Sequence, residues 1–415
     1  MGDDHFRCGM WTLPRTLSAR ARALAPSPTL AVDAKARALQ QAGVDLINLS
    51  IGEPNFETPE AASQAGIEAI RSGFTKYTLS PGTRELRRAI GDKLERENGL
   101  RYTEEQIVVS NGAKQAVFTV VMVLVDPGDE VIILSPYWVS YPEIVRLAGG
   151  TPVIVTPTGP GPAALGEAVR AAVTPRSKLV ILNSPNNPTG HVYGRPELEA
   201  LAEVAIERDL TILSDEIYEK LVYGETEFVS VGSLGPEVAR HVVTVNGFSK
   251  AYAMTGWRLG YSAASLEVAE ATAAFQSQCT SAPSSISQAA ATAMLAADQG
   301  PLESMRREFD ERRRYVISRL VAIPGVEVDM EPYGAFYIFP KVSALISGMA
   351  DGGAIGGSRA LAELLLHKAR VAVVPGAAFG ADDHIRLSYA STMKTLREGL
   401  NRIERFGADL LALSN

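Results

Sequence analysis

Only two cysteines, Cys8 and Cys279, occur in 415 residues. Two thiols build neither a disulfide framework nor, alone, a metal site, and a reducing cytoplasm is the simplest setting for them. The five histidines, His5, His191, His241, His367 and His384, show no metal-ligand spacing. No apolar run approaches the ~18 residues that suggest a membrane span. The first twenty residues lack the charged-then-apolar order of a signal peptide, and Met10 offers an alternative start. Basic residues are not in excess: 40 stand against 47 acidic ones, for a net charge of -7. That leaves no electrostatic footprint for nucleic acid. The main basic cluster, Arg312 to Arg314, falls in a helical pattern and reads as a solvated face. Nucleotide motifs are missing as well. There is no Gly-x-x-x-x-Gly-Lys-Ser/Thr, and Gly159-Pro-Gly-Pro162 is not Gly-x-Gly-x-x-Gly at a strand-to-helix turn.

What is present is a soluble composition, 46% hydrophobic and 21% charged. The length exceeds one compact core and predicts two domains. Short β-branched runs at Ile107–Val109, Val131–Leu134, Leu179–Leu182, Leu210–Leu213 and His241–Val245 alternate with amphipathic stretches such as Lys114–Leu124 and Arg195–Glu207. This alternation predicts an α/β fold, a mainly parallel sheet with helices on both faces. Beyond about Pro301 the pattern changes. A long charged helix, two strand-like pieces at Ala335–Phe339 and His384–Ser388, and a helix from Met393 read as a smaller α+β domain. The Gly-rich stretch Gly348–Ser358 reads as a flexible loop.

In parallel sheets, ligands bind beyond the carboxyl ends of the strands. Five strand ends here carry polar segments: Ser110–Gln115, Ser135–Trp138, Asn183–Gly190, Ser214–Tyr218 and Asn246–Lys250, with Arg258 eight residues on. Each member has an ordinary reading. Gly112–Lys114 can be a plain turn, Trp138 a core aromatic, Asn187 a turn stabiliser and Asp215 a helix cap. Lys250 can be a surface lysine, and Arg386, between Ile385 and Leu387, half of a structural ion pair. Jointly they supply an amine, a carboxylate, a flat aromatic, a phenol and an anion cradle on one sheet edge. Pyridoxal 5′-phosphate (PLP) needs that set: a lysine for its aldehyde, a carboxylate for its pyridinium nitrogen and a helix start for its phosphate.

The chain resembles the fold-type I, class I aminotransferases, in the bacterial aspartate aminotransferase branch. The resemblance is carried in family order by Gly52-Glu-Pro54, Lys76-Tyr77, Asn111-Gly-Ala-Lys-Gln115, Ser135-Pro-Tyr-Trp-Val-Ser-Tyr-Pro142, Asn183-Ser-Pro-Asn-Asn-Pro-Thr-Gly190, Ser214-Asp-Glu-Ile-Tyr218, Ser249-Lys250, Met254-Thr-Gly-Trp-Arg-Leu-Gly260 and Arg386-Leu-Ser-Tyr389. It covers roughly residues 20 to 410. It implies that Lys250 bonds the cofactor and later shuttles a proton. Asp215 would pair with the ring nitrogen, Tyr218 and Asn187 would face the phenolic oxygen, and Trp138 would stack on the ring. Ala113, Lys114, Ser249 and Arg258 would hold the phosphate or border it, with Tyr77 donated across a homodimer interface. Arg386 would clamp the substrate α-carboxylate, helped by Asn187, Trp138 and the backbone at Gly52.

The resemblance also implies domain limits: a tail at 1–19, a small domain formed by 20–55 with 301–415, and a large PLP domain at 56–300. One sub-branch takes a distal carboxylate with a partner arginine, but Ser277–Ile286 contains none. The other uses a lysine in the Gly-Ala-Lys-Gln turn, so Lys114 would meet that carboxylate, with Ser27 and Thr29 closing over it. The implied reaction is L-aspartate plus 2-oxoglutarate giving oxaloacetate and L-glutamate, with no membrane or nucleic-acid partner. Prephenate or an aromatic amino acid as main substrate, and a PLP lyase on the same scaffold, stay open at this point.

Overall fold

The computed structural model describes residues 17–159, 161–350 and 353–413. Cys8, His5 and Met10, and the expected tail up to residue 16, lie outside the described residues. At its centre is a seven-stranded sheet. In chain order its strands are β1 (Ile107–Ser110), β2 (Glu130–Leu134), β3 (Thr151–Val155), β4 (Ser177–Asn183), β5 (Thr211–Asp215), β6 (Val242–Gly247) and β7 (Gly260–Ala263). Across the sheet they run β1-β7-β6-β5-β4-β2-β3. All neighbouring pairs are parallel except those made by β7, which is antiparallel to β1 and β6.

Every strand but β3 is buried along nearly all of its length, as a sheet covered on both faces requires. Helix 113–124 packs Val117, Val120 and Val121 on one face, against Val131, Ile133 and Ile181. Helix 195–207 packs Leu198, Leu201 and Val204 on the other, against Ile132, Val180 and Ile212. The five runs read as strands are strands, each within a residue or two of its expected limits. Two strands escaped that reading. β3 carries Pro152, which its edge position tolerates because no ladder donor is needed on the outer side. β7, Gly-Tyr-Ser-Ala, is too short and small-residued to show a β pattern.

Residues 300–413 form the long helix Gly300–Leu320, a three-stranded antiparallel sheet of Val374–Pro375, Ile385–Ser388 and Tyr337–Ile338, and the helix Met393–Leu413. The early strand Ile47–Asn48 joins this end of the chain by pairing in parallel with Val371–Ala372. That pairing carries Ser50 and Gly52 to the cavity described next. Within Gly348–Ser358, the stretch expected to be a loop, Met349–Ala350 pairs with Gly353–Ala354 in a small hairpin, and Asp351 and Gly352 lie outside the described residues.

Arg312 and Arg313, expected on a solvated face, are buried at 2% and 4% exposure. The Arg312 guanidinium lies over the Phe56 and Phe309 rings, at 4.9 and 5.5 Å, and donates to Asn55 Oδ1. Arg313 is paired with Asp310 and Glu331. Two aromatic faces and fixed acceptors replace the water that an arginine on a solvated face would have. Only Arg314 of the three stays largely in solvent.

Candidate active site

One cavity of about 470 Å³ opens at the carboxyl ends of the central strands. All the side chains expected at the site line it except Tyr77: Ser27, Thr29, Ala113, Lys114, Trp138, Asn187, Asp215, Tyr218, Ser249, Lys250, Arg258 and Arg386, with Gly52. Tyr77 is 96% exposed and stands outside it. Among the described residues no group of His, Cys, Asp or Glu forms a metal site, and no helix is long and apolar enough to cross a membrane.

Asp215 closes β5 and is 4% exposed. Its carboxylate accepts from the Tyr141 hydroxyl at 2.7 Å and from the Ile217 N–H at 3.3 Å. Burial pushes it up to about 6, against the pull of those two donors and of Lys250. No cation makes an ion pair with it among the described residues, so its remaining acceptor capacity faces the cavity. No helix begins at Asp215, so the reading of it as a helix cap does not hold.

Lys250 follows β6 and donates from Nζ to the Gly52 carbonyl. Burial depresses the amine to about 8. Glu53 and Asp215 oppose the shift, while Arg386 and Arg258 reinforce it. An amine brought that low is neutral in a useful fraction near physiological pH, which nucleophilic and proton-transfer chemistry needs.

The anion end is built by close backbone approach. Gly112, with φ +90°, begins the helix Ala113–Leu124. A Cβ there would meet Nη2 of Arg258 at 2.6 Å, and one on Gly260 would meet the Ala113 nitrogen at 2.2 Å. Arg258 is thus drawn against the helix start, where free N–H groups and the helix dipole already favour an anion. Lys114 holds its Nζ 5.0 Å from the Trp138 ring centroid. Desolvation, then Arg258, lowers its pKa although the residue as a whole stays exposed. The Ser27 and Thr29 hydroxyls, 3.0 Å apart, face the same cavity from the N-terminal segment.

Arg386 is the second charged group without a counterion. It lies in the strand Ile385–Ser388 and is 2% exposed. Nη1 donates to Asn187 Oδ1 at 2.9 Å and Nη2 to the Ser50 carbonyl at 2.8 Å, while Nε is buried with no partner. Tyr337 and Phe379 face it at 4.4 and 5.1 Å. Burial lowers its pKa. The structural ion pair that its strand position allowed does not form among the described residues. A buried cation with neutral partners and an unpaired donor has the chemistry to receive an anion.

Sequence reasoning passed over Tyr141 and Tyr337, which also line the cavity. Tyr141 lay within a motif, three residues after Trp138, where it reads as packing. Tyr337 lay in an apolar strand, where an aromatic ordinarily belongs to the core.

Residues 44–403 match the model of the family "Aminotransferase class I and II". The aspartate aminotransferase of Geobacillus stearothermophilus is 45% identical over 394 residues, 94% of this chain and 98% of that protein. The aspartate/prephenate aminotransferase of Cereibacter sphaeroides is 47% identical over 388 residues, 93% and 97% of the two chains. The structure of Thermus thermophilus aspartate aminotransferase with maleate superposes with a TM-score of 0.87 at 45% identity, covering 94% of this chain and 99% of that one. The chain belongs to the class I and II aminotransferase family.

Proposed function

We propose that the chain is a PLP-dependent aminotransferase that takes L-aspartate and 2-oxoglutarate to oxaloacetate and L-glutamate by a ping-pong route, the keto product leaving before the acceptor enters. One observation carries the reading. A buried carboxylate without a cation, Asp215, and a buried guanidinium without an anion, Arg386, share one cavity with an amine brought down to about 8. Each fits what PLP or an amino acid brings: a ring N–H for Asp215, a carboxylate for Arg386, a carbonyl carbon for Lys250.

The remaining groups fit the same pair of ligands. Trp138 would cover the ring, and Tyr218 and Asn187 would face the phenolic oxygen. Ser249, Arg258 and the helix start at Ala113 would take the phosphate, with Tyr77 of the partner subunit. Bound there, PLP supplies an electron-accepting ring for the pair left at the substrate Cα. Arg386 would bind the α-carboxylate and so orient the substrate Cα toward Lys250. Lys250 Nζ would take the Cα proton and hold it for return. Burial, reinforced by the neighbouring guanidinium groups, keeps its basicity low enough for transfer in both directions. Lys114, with Ser27 and Thr29, takes the distal carboxylate. Closure of a small domain (20–55 with 301–415) over a large one (56–300) would exclude water from these steps. A homodimer in the cytoplasm is part of the same reading.

Prephenate is a second acceptor supported by a specific observation, since the 47% identical Cereibacter protein is named for it. A panel of amino donors and keto acceptors tests both substrates. Aspartate should be the best donor, and alanine or an aromatic donor outperforming it would overturn the assignment. Lys250→Ala should lose the visible absorption with PLP and the turnover together; colour that survives removes Lys250 from its role. Lys114→Ala should lower kcat/KM for dicarboxylates by about 30-fold or more, as loss of one partner of a desolvated charge pair does, and alanine far less. Equal losses would take Lys114 out of the distal site.

A further inference from the structure

Tyr337 sits where three parts of the site meet. Its hydroxyl is 2.9 Å from that of Tyr218. Its ring faces the Arg386 guanidinium, 4.4 Å from the centroid. A Cβ on Gly52 would stand 3.1 Å from the same hydroxyl. The strands explain the convergence. Tyr337 pairs with Ser388, two residues beyond Arg386, so Arg386 is its diagonal neighbour on one face of the sheet.

Packing alone does not account for a tyrosine here. The adjacent Phe336 fills the core, stacking on Phe309 at 5.4 Å. Tyr337, 1% exposed, turns instead to the cavity and puts a buried hydroxyl on another hydroxyl.

We propose that Tyr337 is a positioning residue that ties the carboxylate-binding Arg386 to Tyr218, donating its proton to the Tyr218 oxygen. The inference rests on the PLP reading above. Each phenol has one proton to give. If Tyr218 gives its own to the cofactor's phenolic oxygen, the 2.9 Å contact can be filled only by the Tyr337 proton. Hydrogen bonds in such a chain polarise one another, so Tyr218 becomes the stronger donor and the cofactor oxygen the better stabilised anion. The Arg386 guanidinium over the ring draws charge in the same direction. The ring also packs against that guanidinium and thereby holds its fork for the incoming carboxylate.

The hydroxyl and the ring thus have separable effects, and neither need be read from turnover. Wild type, Tyr337→Phe and Tyr337→Leu would be loaded with PLP. Two quantities would be measured: the midpoint of the pH titration of the visible absorption, and the dissociation constant for the unreactive dicarboxylate maleate. Tyr337→Phe should raise the midpoint by about half a pH unit, the worth of one modest hydrogen bond, with maleate affinity within about twofold of wild type. Tyr337→Leu should raise the midpoint and weaken maleate by about tenfold, through loss of the ring under Arg386. An unmoved midpoint in Tyr337→Phe overturns the proposal whatever happens to activity, and so does unchanged maleate affinity in a folded Tyr337→Leu. If the leucine variant fails to fold, the phenylalanine variant decides alone. A wild-type chain that develops no visible absorption with PLP sinks the cofactor reading instead, before any variant is compared.

Discussion

At the scale of single residues, the most telling chemistry is charge left without a partner. Arg386 gives up water for two neutral acceptors and keeps Nε unpaired. That arrangement is costly unless an anion completes it. A lysine at the same place would keep the charge but lose the planar fork. Arg386→Lys should therefore cost about 2 kcal/mol in kcat/KM, roughly 30-fold, for every amino donor alike, since all share the α-carboxylate. Steady-state kinetics on aspartate and alanine check this; a loss confined to aspartate would move Arg386 to the distal end. The position of Arg386 in the site was legible in the sequence through its motif, and so were those of Asp215 and Lys250, because each follows an apolar run at a strand end. Tyr337 was not legible: its role depends on a contact with Tyr218 across 119 positions of sequence. Arg312 was misread because its buried environment is supplied by Asn55 and Phe56, far from its own helix in sequence.

At the scale of elements, β5 ends in Ser214-Asp215, and the next residue, Glu216, points away from the cavity into the protein. Glu216 is 1% exposed and accepts from the Ser214 and Ser230 hydroxyls at 2.9 and 2.7 Å. Burial raises it to about 8, with Glu219 adding to the shift and the two serines opposing it. The sign of the consequence follows from linkage. Between the ordinary carboxyl value of 4.5 and about 8, the unfolded chain releases this proton while the folded chain keeps it. The contribution of Glu216 to stability therefore falls as pH rises through that window. Glu216→Gln stays neutral throughout. Its urea midpoint relative to wild type should move upward from pH 5 to pH 8, and a constant difference would refute the assignment. Beside it, Lys93 on helix 84–98 is 2% exposed and donates to Asn98 at 2.7 Å and to Glu219. Lys93→Ala strands a buried carboxylate and should cost about 3–5 kcal/mol by denaturant unfolding. Lys93→Met with Glu219→Leu should recover most of that, and failure to recover would locate the cost in packing rather than charge. A lysine in a helix this charged reads as exposed; only the distant Glu219 makes it otherwise.

At the scale of the whole molecule, one expected site residue is in the wrong place for a single chain. Tyr77 is 96% exposed, and the same stretch presents Ile70 at 57%, Phe74 at 42% and Leu79 at 58%. Exposed apolar side chains clustered in this way are the kind of surface that a partner chain can cover. If that chain is a second copy, each Tyr77 serves the other copy's cavity, and the arrangement has a consequence that no monomer shares. Lys250→Ala kills the site in its own chain, whereas Tyr77→Ala impairs the site of its partner. In a mixed dimer of the two variants, one site carries both defects and the other carries neither. Random exchange at equal concentrations makes half the dimers mixed, so activity should return to about a quarter of wild type. The assay is best run at limiting PLP, where loss of a phosphate ligand is felt most. Were Tyr77 to act within its own chain, every mixed dimer would carry one defect in each site, and mixing would return only the average of the two parents.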